Sequence, residues 1–288
     1  MERKLSGGNG FRSAKIKFAV SCILLLLASS AAFSQTVQEK PWEILQAGLN
    51  ERSTSKRAAA VKALGLLQDN GPAIESAEKA LGDKKTAVRA AAATALGQMG
   101  AQSSTSLLKE ATADKETRVA CAASDSLILL GDPAGYDAYY EILTGERKSG
   151  QGLIAEKKKL ITDPRAMVLL GVGVGIGFAP YAGYGWMVWQ ELSKDYKTPV
   201  RINALTKLAN DPDSRINEGL VKAASDKHWS VRVAALSAIA HHGDPRLICR
   251  IRPHITDKNA AVRYTAAAAV IRLSALVSAD DTKMATRQ

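Results

Sequence analysis

The chain has 288 residues, 46% of them hydrophobic, and a formal net charge of +11. It can bury a sizeable core, either as one compact domain or as a run of small units that each cover a neighbour. No H-E-x-x-H, C-x-x-C or G-x-S-x-G motif occurs, so the common zinc-hydrolase, thiol-redox and serine-nucleophile signatures are excluded.

The first element is a leader. A basic stretch ending at Lys17 precedes the apolar run FAVSCILLLLASSAAFS, which is too short and too rich in small residues at its end for a stable span. Residues 1–34 read as a secretory signal peptide, with Ala32 and Ser34 as the small residues before the cut. Removing them lowers the net charge to +7, and residues 35–40 form a linker. Cys121 and Cys249 are then the remaining cysteines. Export permits a disulfide, but in a repeat array these two lie four units apart, far beyond the roughly 7 Å Cα limit. Both are expected to be buried, unpaired thiols.

From residue 41 the chain repeats itself. An acidic residue opens each copy at Glu51, Asp83, Asp114, Asp195, Asp226 and Asp257, with spacings of 32, 31, 81, 31 and 31. Six residues on come Arg57, Arg89, Ala120, Arg201, Arg232 and Arg263; nine on, the residue is Ala in every copy, from Ala60 to Ala266. Such a period marks a stacked array. Positions five, nine, twelve, thirteen and sixteen share one helical face, predicting an amphipathic helix of about four turns. The opening acid suits the helix N-terminus, and Gly100, Gly131 and Gly243 suit its left-handed close. A shorter apolar-periodic segment precedes each anchor, so each unit is a helical hairpin. Residues 41–144 and 195–276 carry these hairpins, and the fold class is an all-α solenoid of about seven.

The middle departs from the pattern. Residues 145–162, GERKSGQGLIAEKKKLIT, read as an inserted loop with a short helix. Residues 163–194 form a degenerate Gly-rich unit anchored at Asp163. Within it, Ala166 to Gln190 carries no charge and is long enough to cross a bilayer, with Gly171/Gly175 and Gly173/Gly177 at close-packing spacing. An inner solenoid helix, a membrane-inserted segment and a strand are the three readings of this stretch. Residues 277–288 are polar and expected to be a disordered tail.

The motif D-x4-VR-x2-A-x3-(L/I/V), as in DKKTAVRAAAATALGQMG and DKHWSVRVAALSAIAHHG, resembles the HEAT repeat, and in particular the bacterial HEAT-like type also found in phycobilisome lyases. The resemblance implies outer and inner helices and a ladder joining opening acids to Val-Arg arginines: Asp83, Arg89, Asp195, Arg201, Asp226, Arg232, Asp257 and Arg263. It carries over no catalytic residue.

No cofactor or metal is expected. The four histidines, His228, His241, His242 and His254, fall in the last two units, and His228 and His241 lie at opposite ends of one helix, about 20 Å apart at 1.5 Å per residue. Positions seven, eleven and fifteen of the inner helices form a mostly small, uncharged stripe that suits a protein or peptide better than nucleic acid. Its candidate partner-binding residues are Thr94, Gln98, Asp125, Thr206, Ser237, His241, Tyr264 and Arg272; a merely solvated or partly buried face is the competing reading. Trp186, Trp189 and Trp229 are candidate exposed anchors or core residues. The sequence therefore points to an exported scaffold of the periplasm or cell envelope that binds a protein partner. A lyase-related or small-molecule-handling factor and a solenoid anchored through 166–190 are the alternatives.

Overall fold

The computed structural model describes residues 40–137, 139, 197–211, 213 and 215–285. The chain divides into two units, Met1–Lys40 and Pro41–Gln288, and apart from Lys40 at the start of the first helix the helices below belong to the second. The signal peptide, the 145–162 insert, the Gly-rich unit, Asp195, Trp186 and Trp189 lie outside the described residues.

Helical hairpins follow one another. Outer helices α1 (40–49), α3 (Gly71–Leu81) and α5 (Thr105–Thr112) alternate with inner helices α2 (Thr54–Leu64), α4 (Thr86–Met99) and α6 (Thr117–Leu129). After the middle come inner α7 (Lys197–Leu208), outer α8 (Ile216–Ala224), inner α9 (Trp229–His242), the short outer α10 (Ile248–Ile251) with flanking 3-10 turns, and inner α11 (Ala260–Ala285). The described residues contain no strand. The array is an α-solenoid of stacked hairpins.

Small residues set the helix spacing. Ala90 to Ala93 and Ala266 to Ala269 are buried on successive positions, so these inner helices are covered on most of their circumference. The single apolar stripe expected of them is therefore too narrow: α2 buries every residue from Ala58 to Leu64. Between α4 and α6 the approach is tight at Gly97, where a Cβ would lie 2.5 Å from the Ser126 hydroxyl, which donates to Ala93 O at 2.8 Å.

The spatial order of the inner helices is not their order in the chain. α2 packs α4, which packs α6; α7 packs α9, which packs α11; and α11 packs α2. The row runs α6, α4, α2, α11, α9, α7, so the first and last inner helices meet at its centre. Tyr264 of α11 is buried there against Gly48 and Ala60, and Arg272 donates from Nε to Ala240 O at 2.8 Å and from Nη1 to Leu66 O at 2.9 Å. Ala260–Ser278 is long and apolar enough to cross a membrane by composition, and 61% of it is buried inside the fold as this central helix. The helix runs on to Ala285, which corrects the expectation of a disordered tail from 277; SADDTKMA contains no Gly or Pro to stop it.

A rung of charge joins successive hairpins. Arg57 donates to both carboxylate oxygens of Asp83 at 2.7 and 3.1 Å, Arg89 to Asp114 at 2.7 and 3.0 Å, and Arg232 to Asp257 at 2.9 and 3.0 Å. Arg201 pairs with Asp226 through a single Nη2 contact to Oδ2. Each arginine thus reaches the acid of the next unit, while Nη1 of Arg89, Arg232 and Arg263 donates back to the carbonyl of its own anchor, Asp83, Asp226 and Asp257. The acids do not cap the inner helices directly. Asp83, Asp114, Asp226 and Asp257 accept from the N–H two residues on, closing a turn just before the helix. Arg57 holds the Asp83 carboxyl below its usual range. Burial pushes Asp257 up, but the bonds from Arg232 and from the Asn259 N–H outweigh it and leave the carboxyl lowered.

Arg232 and Asp257 are only 7% and 12% exposed, so Arg232→Ala strands a carboxylate and is expected to cost about 2–4 kcal/mol. Arg263 bonds to the Asp257 and Lys258 carbonyls and contacts Tyr264, and Arg263→Ala is expected to cost about 1 kcal/mol; urea denaturation of the two variants reads the difference. At the centre of the row, a Cβ on Gly48 would lie 2.6–2.7 Å from Tyr264 and Ala60, whereas Gly71 has open space. Thermal melts should therefore show Gly48→Ala destabilised by about 1–3 kcal/mol and Gly71→Ala unchanged or slightly stabilised.

Candidate functional site

Where the two halves of the row face each other, inner-helix side chains enclose a cavity of about 180 Å³. One wall comes from α2 and α4 with Lys62 and Gln98; the other comes from α7 and α9 with Thr206, Asn210, Ser237 and His241. Thr265 of α11 lies between them, and Ala63, Leu66 and Val233 supply apolar lining. A second, more open recess of about 520 Å³ shares Asn210 and His241 and continues past Asp211 to Asp244 and Arg246.

The candidate partner-binding residues separate into three groups. Gln98, Thr206, Ser237 and His241 come together around the cavity. Thr94 is half-buried and its hydroxyl donates to Ala90 O, while Asp125 is exposed and accepts from the Tyr139 hydroxyl at 2.6 Å. Tyr264 and Arg272 are corrections. Tyr264 is 3% exposed and Arg272 bonds to two helix-end carbonyls, so both hold α11 in place and neither offers a free surface. The expected stripe is interrupted in the same way at Ala58, Ala90, Val233 and Ala268, all buried by neighbouring helices. The thiols also differ from the expectation of burial: Cys121 is half-buried and Cys249 exposed. Trp229 packs partly buried against the core.

Asn210 and Lys62 line the cavity without being among the candidates. Asn210 stands at position fifteen of its repeat, and Lys62 is the only basic residue at position eleven of any copy, a signal available in the alignment of the repeats. Lys62 is 5% exposed, and its amine nitrogen is sealed from bulk solvent. Burial, and then the charge of Arg118, lower its pKa well below the ordinary 10.5. His241 is exposed as a whole and also lines the cavity, whose walls desolvate its ring in part. That desolvation, and then the charge of Arg272, lower its pKa from 6.5. No group of three metal-ligating side chains occurs among the described residues.

The Lys62 shift has a definite sign in stability. As pH falls below 10.5 the unfolded chain takes up the proton before the folded one, so the lysine opposes folding, fully so below its folded pKa. Lys62→Met is expected to be more stable by about 1 kcal/mol or more at pH 7. Denaturation midpoints should show that advantage shrinking as pH rises towards 10.5.

A family model of HEAT repeats matches residues 43–128 and 187–272, more than half of the chain. No curated protein matches. Among solved structures, human deoxyhypusine hydroxylase in complex with glycerol is similar at 18% identity over 86% of this chain and 91% of that one, with a TM-score of 0.32. A likeness at that level carries no argument about this chain.

Proposed function

Because the chain belongs to the HEAT-repeat family, we propose that it is an exported, non-catalytic scaffold of the periplasm or cell envelope that holds a protein partner against its inner helices. HEAT repeats commonly serve protein–protein interaction, and stacked hairpins supply a continuous inner surface for it. The observation that carries the reading is the set of half-buried or exposed polar residues left on that surface, Gln98, Asp125, Asn210, Ser237 and His241, on otherwise small-residue helices. Export rests on the basic-then-apolar leader of residues 1–34. Contact with a membrane through residues 166–190 is a further proposal resting on the absence of charge in that stretch.

A second reading, handling of a small molecule, is favoured by one feature: the cavity enclosed by Lys62, Gln98, Ser237 and His241. A relation to phycobilisome lyases belongs with this second reading and rests on the repeat motif alone.

Photo-crosslinking in the living cell separates the readings. A photoreactive residue at Gln98 or Ser237 should give a discrete protein adduct, and the same residue at the exposed outer position Leu107 should not. Adducts at Leu107 alone, or at none of the three, would overturn the scaffold reading. Residues 1–34 fused to a phosphatase that is active only outside the cytoplasm should give activity, and an inactive fusion would overturn export.

A further inference from the structure

One repeat position carries charge that the packing does not use. The residue after the opening acid is Arg52, Lys84, Lys115, Lys227 or Lys258 in five copies, and all five are exposed. Each stands in the turn before an inner helix: α2, α4, α6, α9 and α11 begin two residues later.

Those five units are consecutive in the row, so the cations run Lys115, Lys84, Arg52, Lys258 and Lys227, crossing the joint of α2 with α11. The two helices are parallel at that joint. Tyr264 and Ala60, seven and nine residues past their anchors, both lie against Gly48, and Arg272 reaches Leu66 O, each fifteen past its own. With neighbouring helices about 8–10 Å apart, the cations line one rim over about 30–40 Å. The inner helices add the positive ends of their dipoles to the same rim.

The acids nearest this row are engaged. Asp83, Asp114, Asp226 and Asp257 are held by the arginines of the rungs, Glu51 meets Lys56 at 3.5 Å, and the charge of Glu116 acts on Arg89. Lys85 is a further exposed cation beside Lys84. On the opposite rim the exposed Arg215 and Arg246 are paired with Asp213 and Asp244 of their own loops.

Long, exposed cations at a regular pitch suit a flat anionic surface. A pocket for one anion needs convergent, enclosed donors, and a single-stranded nucleic acid needs aromatic platforms. The residues that follow the five cations are Ser53, Lys85, Glu116, His228 and Asn259, which supply no such platform. Clusters of four to eight Lys and Arg are what a layer of anionic headgroups attracts.

We propose that the rim bearing Lys115, Lys84, Arg52, Lys258 and Lys227 docks the solenoid edge-on against anionic lipid headgroups. This surface is separate from the inner-helix surface of the scaffold reading and from residues 166–190, so its test can fail without either.

Residues 35–288, which keep the compact unit Pro41–Gln288 whole and omit the apolar leader, are sedimented with vesicles of phosphatidylcholine or of equimolar phosphatidylcholine and phosphatidylglycerol. Binding to the mixed vesicles alone is expected, and it should vanish in 1 M salt, where the screening length falls to about 3 Å. The triple variant Lys84→Gln, Lys115→Gln, Lys258→Gln should bind about a hundredfold more weakly, at about fivefold per residue. A control triple variant, Lys207→Gln, Arg215→Gln, Arg246→Gln, removes the same charge away from the rim and should lose less than about fivefold. Circular dichroism checks the fold of both, and the single variant Arg52→Gln, expected to lose about fivefold, decides the matter if a triple variant unfolds. Salt-resistant binding to phosphatidylcholine would assign the contact to an apolar segment, and equal losses in the two triple variants would assign it to net charge. Tighter binding of a DNA duplex than of the anionic vesicles would assign the rim to a polyanion. Each of these results overturns the proposal, as does the absence of vesicle binding.

Discussion

A helical hairpin has more apolar surface than its own two helices can cover, and every larger feature of this fold answers to that constraint. Ala-rich inner helices stack so closely that Gly97 is required opposite Ser126, and the Arg–Asp rungs fix each hairpin against the next. In a simple linear row the first and last inner helices would need polar outer faces. Here α2 and α11 cover each other, so neither carries one, and Ala60, Tyr264 and Ala266 are all buried. The ends of the described row are α6 and α7, where Leu129 and Val200 remain about two-thirds exposed.

This closure creates the cavity. Lys62 and Gln98 belong to the first part of the sequence, and Thr206, Ser237 and His241 to the last, and they face one another only because α11 is clamped to α2. Arg272 is the clamp's polar component, satisfying the otherwise free carbonyls of Ala240 and Leu66 at two helix ends. Its backbone partners make it a structural arginine, whereas its charge, felt at His241, contributes to the field in the cavity.

The parts of the fold legible in the sequence are those with local or one-period causes. Gly100, Gly131 and Gly243 take positive φ at the helix ends where the repeat places a left-handed residue. The Arg-to-Asp spacing of 25 or 26 residues that closes each rung recurs wherever both partners are described. What could not be read depends on long range. The bond from Arg272 to Leu66 spans 206 residues, and nothing near either residue announces it. For the same reason Tyr264 looked like a residue of the open stripe, although its ring fills the space left by Gly48. The site was legible in part: Gln98, Thr206, Ser237 and His241 fell on the stripe by periodicity, while the enclosing geometry came from the closure.

Lys62 is the point at which the rules of packing and the needs of a site diverge. A lysine in the wall of an Ala-rich interior opposes folding at neutral pH, and a methionine would fill much the same space without that cost. The rungs differ in that Arg89 and Arg232 meet carboxylates through two bonds each and strengthen the stack. Burial, and then the charge of Arg118, add to the cost of the Lys62 charge. Residues that lower stability at a cavity lined with convergent donors are where binding chemistry is most economically sought.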